Sequence, residues 1–133
     1  MSAAPSRRTS AKILIFVLLS AVASLCHSAG LSNKWRIEVS EGAKSDGVLH
    51  FRVTPEGESA IDVRAQIKDG TRENRVAVAI KKAFRAQLPE KAFHVERDDG
   101  EDVLVKRRHG APRFALELIS SDVKAVRINL DKE

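Results

Sequence analysis

The sequence predicts an α+β fold, an antiparallel or mixed curved sheet of about seven strands with one central amphipathic helix, in the order βββ-α-ββββ. Three observations carry that prediction. Seven short segments place apolar side chains at every second position, the spacing that gathers them on one face of a strand. A single segment changes to a spacing of four, the repeat of a helix buried on one side. No strand segment reads as apolar on both faces, as strands covered by helices on either side would.

The first strand is Trp35-Arg36-Ile37-Glu38-Val39, with Trp35, Ile37 and Val39 inward, and the turn residues 41–47 predict a hairpin into the second. In that strand Leu49, Phe51 and Val53 face the core, while His50 and Arg52 face outward. Pro55 ends it because proline has no amide hydrogen for the ladder. Ile61, Val63, Ala65 and Ile67 form the cleanest alternation in the chain. The period then changes. Thr71 is the expected N-cap, Glu73 suits the first helical turn, and Val76, Ile80, Phe84 and Leu88 form an apolar stripe that Pro89 ends. Arg72, Arg75, Lys81, Lys82 and Arg85 occupy the remaining faces. Beyond the helix, Phe93 and Val95 oppose Val103 and Val105 across a turn at Asp99-Gly100. Phe114, Leu116 and Leu118 follow, with Ile119 breaking their alternation, and Val126, Ile128 and Leu130 make the last strand.

A helix of about 17 residues spans roughly 25 Å, whereas a sheet of seven strands is roughly 29 Å wide. The helix therefore cannot cover a flat sheet. Either the sheet curls, or two groups of strands pack on each other, or apolar surface meets a partner.

Ahead of the domain, Arg7, Arg8 and Lys12 precede an apolar run over residues 13–25, the pattern of a secretory signal peptide. The run is shorter than the roughly 20 residues a membrane span requires, so a cleaved leader over residues 1–29 is expected, with no permanent transmembrane anchor. Small residues allow the cut anywhere from 23 to 29. Cys26 stands where a lipoprotein precursor carries its modified cysteine, but the bulky Leu25 before it disfavours that processing. The single domain is then 30–133, with a loose N-terminal tail to about residue 34. A small exported domain without cysteine suits a bacterial periplasm better than an animal extracellular space, so the expected location is periplasmic or secreted.

Removing the three leader bases and no acids from the 23 basic and 18 acidic residues leaves 20 and 18. The signs are interleaved, and export takes the domain away from nucleic acid, so no nucleic-acid partner is expected. The densest basic cluster is Lys106, Arg107, Arg108 and His109. With Lys81, Lys82 and Arg85 it forms the candidate binding patch for an anionic glycan, lipid headgroup or acidic protein. His50, His94 and His109 show no ligand spacing for zinc, and Asp98, Asp99, Glu101 and Asp102 fall short of a calcium loop, so no metal or other cofactor is expected. Ser120-Ser121-Asp122 reads as a turn, and no serine sits in a nucleophile elbow. These features point to an exported, non-enzymatic binding or structural module that contacts a protein or an anionic cell-envelope component, or self-associates as a homo-oligomer. The alternative is a small periplasmic enzyme or enzyme inhibitor whose active loop resembles ordinary turn sequence.

Overall fold

The computed structural model describes residues 30–133, and the expected leader and Cys26 lie outside the described residues. The order is βββ-α-ββββ: β1 (Lys34–Ser40), β2 (Gly47–Pro55), β3 (Ile61–Ile67), α1 (Glu73–Gln87), β4 (Phe93–Asp98), β5 (Asp102–Arg107), β6 (Phe114–Ser121) and β7 (Arg127–Lys132). All strand pairs are antiparallel. They form two sheets, ordered β4-β5-β1-β7 and β3-β2-β6, and neither closes into a barrel. The inward residues of both sheets and of α1 belong to one apolar core. Among the described residues no helix is long and apolar enough to cross a membrane.

The expected hairpin between the first two strands does not form. β1 pairs with β5 and β7, and residues 41–46 carry the chain from one sheet to the other. Ala43 is the reason this segment is a corner rather than a turn. Its side chain is buried, its N–H donates to Thr71 O at 2.7 Å, and its carbonyl accepts from Gly70 N at 2.9 Å. Gly47, just beyond, has no room for a larger residue, since a β-carbon there would lie 2.9 Å from the backbone of Asp122. The β4–β5 hairpin forms as expected. Asp99 and Gly100 take φ of 45° and 78°, a left-handed region that glycine enters freely and aspartate tolerates. Ile119 is the extra residue of a bulge, because Phe51 pairs with Leu118 while His50 pairs with Ser120, and its side chain is left 40% exposed. The N-terminal tail is tied down from Ser32 onward. Ser32 exchanges backbone hydrogen bonds with Phe114 at 2.9 and 3.0 Å, and Asn33 O accepts from Arg107 N at 2.9 Å.

Helix α1 lies between the free edges of the two sheets, chiefly against β3 and β4. Its cap differs from expectation: Arg72 occupies the N-cap position with no side-chain bond, and the Thr71 hydroxyl donates instead to Lys68 O at 2.7 Å. Val76, Ala77, Ile80 and Phe84 are buried as the four-spacing requires. Phe84 packs edge-to-face on Phe51, with ring centroids 5.1 Å apart. A second such pair joins Phe93 to Phe114 at 5.1 Å, and Trp35 Nε1 donates to Phe114 O at 3.0 Å. The helix also bonds to one backbone position on each of these two edges. Gln87 bridges the backbone of Arg64 on β3, accepting from its N–H at 2.9 Å and donating to its carbonyl at 2.8 Å, and Arg85 Nε donates to Val95 O on β4 at 2.9 Å. Unpaired edge groups of a strand recruit other chains, so these side chains act in place of missing strands.

Two substitutions test this packing. Phe84→Ala removes a fully buried ring and is expected to cost about 3 to 5 kcal/mol in urea unfolding; a loss below about 1 kcal/mol would contradict its place in the core. Gln87→Ala removes two exposed hydrogen bonds and is expected to cost about 1 kcal/mol. An unchanged unfolding midpoint in that variant would show that the edge of β3 does not depend on the glutamine.

Candidate functional site

On the outer face of the four-stranded sheet, Lys34, Arg36 and Lys106 are ion-paired. Arg36 Nη1 lies 2.6 Å from Asp102 and 3.2 Å from Asp98, and its Nε pairs with Glu133. Lys34 holds the other oxygen of Glu133 at 2.6 Å. Lys106 pairs with Glu96, whose second oxygen stands 3.1 Å from His94 Nε2. Arg36 is held firmly protonated, first by Glu133 and then by Asp102. Leu104 lies in register between Arg36 and Glu96 on this same face and is only 4% exposed, so the charged side chains roof an outward-facing leucine.

On the outer face of the smaller sheet, Asp62 Oδ1 receives Arg52 Nε at 3.0 Å and lies 3.1 Å from His50 Nε2. Nε2 is buried, and Asp62 is its neighbouring acid. Among the described residues no group of three or more His, Cys, Asp or Glu side chains is placed to hold a metal ion.

The structure separates the linear basic cluster. Lys106 turns onto the paired outer face, because alternate residues of a strand face opposite ways. Arg107 turns to the N-terminal segment, with Nε on Asn33 Oδ1 at 2.6 Å and Nη1 on Ala111 O at 2.6 Å. His109 is exposed in the corner between β5 and β6. Only Arg108 joins the helix side. There it meets Arg85 at a cleft of about 450 Å³ lined by Phe84, Arg85, Leu88, Glu90, Phe93, His94, Val95 and Arg108. Arg108 Nε donates to Glu90 O at 2.7 Å and Phe93 O at 3.1 Å, while Arg85 Nε holds Val95 O. Both guanidiniums are thus positioned through Nε.

Lys81, Lys82, Arg85 and Arg108 form no ion pair among the described residues, in contrast to Lys34, Arg36 and Lys106 of the sheet face. Lys82, Arg85, Arg72 and Arg75 are exposed and Lys81 is half-buried, so the outer side of α1 is a basic surface whose only acid is Glu73. Glu90 and His94 were not singled out by sequence reasoning as members of this site. They come to the cleft only because the loop after α1 and the start of β4 fold back on the last helical turn. No protein-family model and no curated protein matches the chain.

Three carboxyl groups carry a pH signature. Asp62 is held below its ordinary 3.8 by His50 and then Arg52, Glu96 below 4.5 by Lys106 and then His94, and Glu133 below 4.5 by Arg36 and then Lys34. A carboxyl with a depressed folded-state pKa stabilises the protein above its unfolded value and loses that contribution as pH falls through the folded one. Melting temperature is expected to be insensitive to these groups from neutrality down to about pH 5 and to fall below about pH 4. Glu133→Gln should flatten part of that fall. A melting temperature that rises on acidification from pH 5 to pH 3 would contradict the pairing.

Proposed function

We propose that the protein is an exported, non-enzymatic binding module, periplasmic or secreted, that engages an anionic group of a partner protein or cell-envelope component through the outer side of α1 and the adjoining cleft. The observation that carries this reading is the contrast in charge pairing. Lys34, Arg36 and Lys106 of the sheet face are paired with acids, whereas Lys81, Lys82, Arg85 and Arg108, gathered along α1 and its cleft, form no ion pair among the described residues. An unpaired basic surface attracts anions at long range and is screened by salt. The leader expected over residues 1–29 is the reason for placing the protein outside the cytoplasm.

A second reading, a small enzyme, draws on one observation. His94 lines the cleft with Glu96 at 3.1 Å, an arrangement in which a carboxylate could orient an imidazole base. It ranks second because Lys106 already pairs with that carboxylate, and because no serine, threonine, cysteine or lysine lines the cleft to act as a nucleophile.

Co-sedimentation with phosphatidylglycerol vesicles and retention on a sulfated glycan column test the first reading. Binding is expected on at least one of the two, weakening as salt rises from about 0.05 to 0.5 M. Replacing Lys81 and Lys82 together by Glu should lower it by roughly tenfold or more. Absence of binding to both matrices, or binding that neither salt nor the double substitution alters, would overturn the proposal.

A further inference from the structure

We propose that the cleft between the end of α1 and the edge of β4 is a binding site for a carboxylate carried on a small apolar body. The inference rests on the anion-binding reading above and names the ligand chemistry of its cleft. Its volume of about 450 Å³ falls within the span typical of small-molecule sites. Half of its lining is apolar, from Phe84, Leu88, Phe93 and Val95, and these four side chains are buried core members that do not move out of the way.

The polar half is built to present guanidinium edges. Arg85 is anchored by its Nε to Val95 O, and Arg108 by its Nε to the carbonyls of Glu90 and Phe93. Among the described residues their terminal nitrogens make no hydrogen bond or ion pair. A guanidinium anchored in this way has lost much of its rotamer freedom before the ligand arrives, and its two terminal nitrogens match the two oxygens of a carboxylate. Charge sets the valence of the ligand. Arg85, Arg108 and Glu90 are the lining residues with formal charge, so counting His94 as neutral the lining residues sum to one net positive charge. A monoanion neutralises it, whereas a phosphate dianion leaves an excess of negative charge beside Glu90. The apolar body then covers Leu88 and Phe93. The same chemistry belongs to a free organic acid and to a peptide ending in an apolar residue.

Isotope-edited NMR titration of protein processed from the full chain tests this with 3-phenylpropionate, 3-phenylpropanol, inorganic phosphate, and a tripeptide ending in phenylalanine as the free acid or the amide. Phenylpropionate should bind with Kd on the order of 1 mM or below, shifting the amides of residues 88–95 and 108. Tripeptide acid binding at least as tightly identifies a chain terminus as the source, and its failure to bind identifies a free acid. The alcohol and the amide should bind at least about tenfold more weakly. Arg108→Lys keeps the charge but loses the fork and should weaken binding about tenfold, and Glu90→Gln, at an exposed side chain, should tighten it about threefold. Equal binding of the alcohol, tighter binding of inorganic phosphate, indifference to Glu90→Gln, or no shift with either acid would overturn the proposal. Because Lys81 and Lys82 lie outside the cleft lining, failure here with retained vesicle or glycan binding would strike the carboxylate site alone, and the converse would strike the surface reading alone.

Discussion

The fold depends on a single helix standing between two sheet edges. Seven strands wrap one core as two sheets, and without α1 the edges of β3 and β4 would expose backbone groups while Phe51, Val63 and Val95 lost their cover. The apolar stripe of α1 supplies the cover. Gln87 and Arg85 supply hydrogen bonds that a neighbouring strand would otherwise give. Burial supplies most of the stabilisation and the edge bonds set the orientation, since each exposed hydrogen bond contributes only about 1 kcal/mol net while a buried phenylalanine contributes several times that.

The same constraint creates the cleft. Arg85 must reach β4 to close its edge, and that places a guanidinium beside Leu88 and Phe93 just where the chain turns back from the helix. Arg108 closes the other side by holding the carbonyls of Glu90 and Phe93. Two groups of bases contrast with each other. Lys34, Arg36 and Lys106 on the outer sheet face pair with acids around Leu104, while Lys82 and Arg85 on α1 are exposed and form no ion pair among the described residues. Edge closure explains why Arg85 and Arg108 sit on the helix side, and the proposed ligand chemistry follows from that geometry.

Much of the architecture was legible because the periods of two and four are imposed by backbone geometry. Val76, Ile80 and Phe84 declared the buried side of α1, Asp99-Gly100 declared the β4–β5 turn, and Ile119 betrayed its bulge by falling out of alternation. Which strands pair was not legible. Residues 41–46 carry the composition of a hairpin turn, and only the burial of Ala43 and its bonds to Gly70 and Thr71 make them a passage between sheets. The candidate site was half legible. Lys81, Lys82 and Arg85 share the exposed side of the helix as their spacing implied, but Lys106, Arg107 and Arg108, adjacent in sequence, point three ways. Alternation along β5 and the corner after it separate them. Glu90 and His94 carried no local signal, since their place in the cleft arises from long-range folding.

Native-state amide hydrogen exchange addresses the claim about α1 most directly. If the helix is an integral part of the closure, amides of residues 77–87 open with free energies within about 1 kcal/mol of the slowest amides of β2 and β5, as one cooperative unit. Helical amides that open at least about 2 kcal/mol more readily, while both sheets keep full protection, would contradict it.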